Sequence, residues 1–164
     1  MKLTQIAAFV ALSSAAAISQ AAPIWQDFSF TGLYGENYAH PVNMDDNNQQ
    51  TTATVEYTAK LKYGDFFGFA DRAHNDFENS TYFELSPRLS LSAVTGTKLE
   101  AGPIKDILIA GTWEANSSNY PGADFNNYLY GIGFDLAIPY FQYAQLNFYK
   151  KKKKKGTTDD YQMT

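Results

Sequence analysis

The chain has 164 residues, 13 Lys and Arg against 17 Asp and Glu, a net charge of −4 and no cysteine. That length predicts one domain, the absence of cysteine excludes a disulfide framework, and an acidic balance argues against a nucleic-acid partner. Aromatic residues make up 16% of the chain, with 12 Tyr and 12 Phe, at a mean hydropathy of only −0.36.

The first 21 residues stand apart. Lys2 is a minimal basic region, Ile6 to Ile18 is apolar, and Ser19-Gln20-Ala21 supplies small residues before a cleavage point after Ala21. This is the pattern of a secretory signal peptide, and the run is too short for a membrane-spanning helix. Residues 22–164 are expected to form the mature domain. Between Ala22 and Tyr149 six basic residues face fifteen acidic ones, a net −9 that the run Lys150 to Lys155 partly offsets.

The mature part reads as a series of strands. From Trp25 to Tyr34, Phe28, Phe30, Gly32 and Tyr34 share one parity and Asp27, Ser29 and Thr31 the other. Gly35 to Gln50 has no period and is a long polar loop. Thr52 to Tyr63 alternates cleanly: Ala53, Val55, Tyr57, Ala59, Leu61 and Tyr63 on one face, Thr52, Thr54, Glu56, Thr58, Lys60 and Lys62 on the other. A period of two over this length is a strand with one oily and one wet face. After a tight turn at Gly64-Asp65 a third strand runs to Phe77, with Phe67 and Phe69 assigned outward. Its pattern breaks at Asp71-Arg72, where a bulge or an exit from the bilayer is expected.

Tyr82 to Ser92 places Phe83, Leu85, Pro87, Leu89 and Leu91 opposite Glu84, Ser86, Arg88 and Ser90, and Pro87 predicts a bulge or an unpaired position. Val94 to Pro103 is a turn. Ile104 to Glu114 and Phe125 to Ile138 are strands five and six, with Ile107, Ile109, Gly111 and Trp113, then Tyr128, Tyr130, Ile132, Phe134, Leu136 and Ile138, on the oily parity. Tyr143 to Tyr149 is a seventh strand with Ala144, Leu146 and Phe148 outward. Lys150 to Asp160 is expected as a solvated loop, and Tyr161 to Thr164 begins an eighth strand.

Export, alternating strands, abundant aromatics and loops longer at one end than at the other together predict an all-β fold, a transmembrane antiparallel up-and-down barrel in the bacterial outer membrane. Such a barrel leaves no open edge in lipid, so a chain that stops within its eighth strand reads as a truncation with further strands missing.

Four segments carry a resemblance: Gly64 to Asp71 (GDFFGFAD), Phe83 to Leu91 (FELSPRLSL), Leu99 to Lys105 (LEAGPIK) and Tyr130 to Asp135 (YGIGFD). In this order and spacing the chain resembles the Tsx/OmpK-like nucleoside-specific channel-forming outer-membrane porins, from about Trp25 to Tyr149. The resemblance implies a monomeric twelve-stranded barrel, of which seven strands and part of an eighth are present, and passive, selective diffusion of nucleosides. It also implies contact with outer-membrane lipid and lipopolysaccharide, and a role for some members as phage or colicin receptors. The missing strands and the lysine run depart from the family's pattern.

A nucleoside is a flat ring on a polar sugar, so a selective pore would stack the base on aromatics and bond the ribose through carboxylates. Wet-face parity nominates Glu56, Glu84, Arg88 and Asp135, with Tyr143 and Tyr149 as stacking platforms, and Asp71 if Arg72 points outward. The competing reading is that Glu84, Arg88 and their neighbours are an ion-pair network filling the interior. No Ser, His and acid constellation supports an enzyme, no cofactor motif is present, and His40 and His74 alone do not make a metal site. Two other readings are a non-conducting surface barrel whose outer loops bind a partner, and a soluble lipocalin-like barrel with its oily face inward.

Overall fold

The structure is a computed structural model that describes residues 22–37, 49–153 and 160–164. The segment expected to be a signal peptide, His40 with most of the first loop, and the end of the lysine run lie outside the described residues. Eight strands pair in chain order in one antiparallel sheet: β1 (Trp25–Gly35), β2 (Gln50–Leu61), β3 (Gly64–Asn75), β4 (Asn79–Ser90), β5 (Ile104–Ser118), β6 (Phe125–Leu136), β7 (Ala144–Lys153) and β8 (Asp160–Met163). A short helix, α1 (Leu91–Thr95), lies between β4 and β5.

Register and side-chain contacts show that the sheet is strongly curled. Neighbouring strands lie about 4.8 Å apart, so β2 and β6 would stand about 19 Å apart in a flat sheet, beyond the combined reach of two side chains. Yet Lys60 Nζ on β2 comes within 3.8 Å of Asp135 Oδ2 on β6, and Arg88 Nη1 on β4 lies 3.5 Å from Asn147 Oδ1 on β7. The residues that bridge strands in this way all occupy one parity, which is therefore the concave face.

Cross-strand pairing carries that face through the sheet. Glu56, Phe69, Glu84, Glu114 and Asn127 form one row, and Lys60, Asp65, Arg88, Ala110, Gly131 and Tyr149 another. The opposite, convex face carries Val55, Leu89, Ile109, Tyr128, Tyr130, Ile132 and Phe148, all exposed. Phe83 meets Trp113 edge-on at 4.8 Å, and Trp113 stacks on Tyr128 at 6.1 Å, so an aromatic cluster crosses β4, β5 and β6 on the convex side.

Several sequence expectations need correction. Phe67 and Phe69 point inward, because Phe67 pairs with Thr58 and Ser86, and Phe69 with Glu56 and Glu84. The convex parity of β3 is Phe66, Gly68, Ala70 and Arg72, and the space above Gly68 is filled by Leu85 and the ring of Phe66, each about 3.1 Å from where a Cβ would sit. No bulge occurs at Asp71-Arg72. The register is continuous there: Asp71 accepts from Thr54 Oγ1 at 2.7 Å on the concave side, and Arg72 Nη1 donates to Thr81 Oγ1 at 2.9 Å on the other. Pro87 causes no register shift. It leaves a gap in the β4–β5 ladder between Leu85↔Trp113 and Arg88↔Ala110, because proline has no N–H to give.

Leu91 and Ser92 leave the sheet. Ser90 Oγ accepts from Ala93 N at 3.0 Å as an N-cap, and Gly96 at φ 71° closes the helix in the left-handed region. Asp106 holds α1 to β5 by accepting from Ser90 Oγ and Ser92 N. The lysine run is not a loop from its start, since β7 continues to Lys153. Loop lengths also alternate less cleanly than expected: residues 76–78 join β3 to β4, whereas 91–103 join β4 to β5.

Candidate functional site

The concave face encloses a cavity of about 250 Å³, and its walls come from β3 through β8. Its charged residues fall into two levels. At the level of the Lys62-Tyr63 turn, Arg88 is clamped: Nε donates to Asp65 Oδ1 at 2.7 Å and Nη2 to Asp65 Oδ2 at 2.7 Å, a bidentate pair, while Nη2 also donates to Asp135 Oδ1 at 2.8 Å. Lys60 Nζ stands 3.5 Å from Asp65 Oδ2 and 3.8 Å from Asp135 Oδ2. Two cations thus meet two carboxylates. The Arg88 side chain is 4% exposed, so its charge is matched before any solute arrives.

Gly133 makes room for this arrangement. A Cβ there would lie 2.5 Å from Asn147 Oδ1 and 3.6 Å from Arg88 Nη1.

The second level is rich in carboxylates. Glu84 on β4 and Glu114 on β5 are directly paired across the ladder, a placement that ordinarily costs stability for like charges. Glu114 is compensated by an ion pair to Lys151 and by Asn127 Nδ2 donating at 2.8 Å, and Glu84 accepts from Tyr82 OH. Nearby on the same face, Glu56 accepts from Ser29 Oγ at 2.9 Å and Asp71 from Thr54. Four carboxylates therefore gather at this level, and Lys151 pairs with one of them. Between the levels lie Ser86 and Thr112, 2.9 Å apart, with Thr112 Oγ1 donating to Tyr149 OH at 3.4 Å.

The structure brings together most of the residues nominated by parity. Glu84, Arg88 and Tyr149 line the cavity, Asp135 adjoins it through Arg88, and Glu56 and Asp71 extend the same face across β2 and β3. Tyr143 is not brought in: it precedes β7 and is 79% exposed. Tyr149 is 4% exposed, so its ring face is covered and its hydroxyl is what reaches neighbours. The open ring is that of Phe67, 40% exposed and in the cavity wall.

Sequence reasoning missed Phe67, Asp65, Glu114 and Lys151. Asp65 was assigned to the turn although it shares Lys60's face. The Glu114–Lys151 pair joins β5 to β7, and no pattern along one strand signals it.

The arrangement can bind a small polar solute through carboxylate acceptors beside one open aromatic ring. At about 250 Å³ the cavity is slightly below the roughly 300–1,000 Å³ of ordinary ligand pockets, enough for one ring or one sugar.

The chain matches a family model described as nucleoside-specific channel-forming protein, Tsx, over residues 23–164. It is similar to the outer membrane protein OmpK of Vibrio parahaemolyticus serotype O3:K6 (strain RIMD 2210633), 22% identical over 135 residues, covering 76% of this chain and 48% of the relative. It is also similar to an outer membrane protein OmpK of Vibrio parahaemolyticus, 23% identical over 133 residues with the same coverage. The chain spans about half the length of these curated relatives. With the family model covering the whole of the eight-stranded sheet, the chain belongs to the Tsx family of nucleoside-specific channel-forming proteins.

Proposed function

We propose that this chain forms part of the wall of a bacterial outer-membrane channel for passive, selective passage of nucleosides or similar small neutral solutes. The observation that carries this reading is the division of the sheet into a concave face of charged and hydroxyl side chains and a convex face of exposed Ile, Leu, Phe and Tyr. A barrel in lipid requires that division. A soluble lipocalin-like barrel would need it reversed, with Ile109 and Ile132 inside and Arg88 and Glu114 out. The family's description and the relatives' names support the same reading. Phe67 would offer its ring to the base, and Glu84 and Glu114 would accept from sugar hydroxyls.

The direct test is single-channel recording of the full-length protein in planar bilayers. Current that falls on adding adenosine or thymidine supports the proposal. A protein that inserts but carries no current, or current indifferent to both nucleosides, sinks it.

The carboxylates of the second level add a prediction about ions. Carboxylates along a permeation path favour cations, so a KCl gradient should give a cation-selective reversal potential. Glu84→Gln, which leaves the Glu114–Lys151 pair in place, should move that potential toward zero. An unchanged potential would show that Glu84 does not face the permeation path.

A further inference from the structure

The convex face is not uniformly smooth. Beside the Lys62-Tyr63 turn it holds a groove of about 600 Å³, bounded by Lys62, Tyr63, Gly64, Leu89, Gly111 and Tyr130. Its depth has a sequence cause. Gly64 and Gly111 supply no side chains, and Pro87, opposite Gly111, sits at the gap in the β4–β5 ladder. Gly64 cannot be otherwise, since a Cβ there would fall 1.9 Å from the Arg88 carbonyl oxygen. Gly111 is different: its Cβ would meet only the Leu129 carbonyl oxygen, at 3.7 Å. The groove is therefore left open at Gly111 although the backbone would tolerate a side chain.

At the mouth of the groove, Lys62 Nζ lies 4.9 Å above the ring of Tyr63, and among the described residues it meets no carboxylate. An apolar trough ending in a free ammonium beside tyrosines has the chemistry of an anionic lipid: hydrocarbon along the trough, phosphate at the lysine.

We propose that this groove is a specific site for one acyl chain of an anionic phospholipid, its headgroup phosphate held by Lys62. The site rests on the reading that the convex face meets a bilayer. The two-residue turn marks the end opposite the long connection of residues 36–49, and short turns of such barrels face the periplasm. The occupant is accordingly a phospholipid of the periplasmic leaflet and not a lipopolysaccharide.

Trp113 gives a readout, because it stands two residues beyond Gly111 on the same face of β5. Its emission is isolated in the full-length protein as the difference between that protein and its Trp113→Phe variant. Both proteins are reconstituted with phosphatidylglycerol or phosphatidylcholine brominated near the acyl-chain end. Trp113 quenching should show about a fivefold preference for phosphatidylglycerol. Lys62→Gln, an exposed turn substitution that does not threaten folding, should bring the preference to about one. Gly111→Phe should weaken quenching by both lipids by filling the trough.

Equal affinities in the unmodified site, or a preference that survives Lys62→Gln, would overturn the site while leaving the bilayer reading standing. Folded protein whose Trp113 is quenched by neither lipid would overturn both.

Discussion

Replacing Arg88 with alanine is expected to destabilise the folded protein by about 3 kcal/mol, the lower end of the range for breaking a buried ion pair. The Arg88 side chain is 4% exposed, and those of Asp65 and Asp135 are 16% and 23% exposed. Removing the guanidinium leaves two carboxylates facing each other across β3 and β6, with only the half-exposed Lys60 between them. Urea unfolding of protein refolded into lipid should show the loss as a lower midpoint.

The triple change Asp65→Asn, Arg88→Met, Asp135→Asn should recover most of it. That recovery is expected because the cost lies in unpaired charge, and a neutral set of similar volume carries none. If Arg88→Ala left the midpoint unchanged, the clamp would not hold the curl of the sheet. In that case Arg88 would be free to serve a solute directly.

The second large effect is expected on the other face. Ile109→Arg places a guanidinium on the convex side of β5, where Ile109 is 54% exposed. Arginine on the lipid face of a barrel costs about 2–4 kcal/mol at the bilayer midplane and falls toward zero at the interface. Ile109 lies between Ile107 and Gly111 in the apolar stretch of its strand, so a loss of about 2 kcal/mol in lipid is expected. Ile109→Leu should change little. The measurement is the fraction of protein reaching the heat-modifiable folded band after reconstitution. An arginine variant that assembles as well as the leucine variant would show that this face does not meet hydrocarbon.

How much of this was legible in the sequence differs by strand, for physical reasons. In β6 every convex position from Tyr128 to Leu136 is apolar or aromatic and the concave row contains Asn127, Gly131, Gly133 and Asp135, so parity alone assigned the faces. In β3 the same rule failed. The concave face carries aromatic rings at Phe67 and Phe69, while the outer row has Gly68, beneath Phe66 and Leu85, and the small Ala70. Hydrophobicity then no longer distinguishes inside from outside. The five residues of α1 are too few to show a helical period, and its cap, Ser90, is also the last residue of β4.

The candidate site was readable one strand at a time. Glu84, Arg88 and Asp135 were found because each lies on a clean wet parity. Asp65 was not, because a turn was expected where it pairs directly with Arg88; Glu114 and Lys151 were not, since their ion pair comes from strands brought together by curvature. The lysine run shows this best. As a block of like charges it reads as solvated chain, yet Lys151 turns inward to Glu114 and β7 continues through it.

The order of the strands also bears on how such a sheet comes into being. Among the described residues, each strand hydrogen-bonds only to the strands before and after it in the chain, so every pairing closes a short loop at small entropic cost. Contacts so local in sequence favour rapid formation. Each completed ladder presents a fresh row of unpaired N–H and C=O groups, and the segment that arrives next in the chain is the one that matches it. The fold can therefore grow as a zipper, hairpin upon hairpin, from β1 toward β8. The closures of greatest entropic cost in this order are β1 to β2 and β4 to β5, because residues 36–49 and 91–103 are the longest connections between adjacent strands.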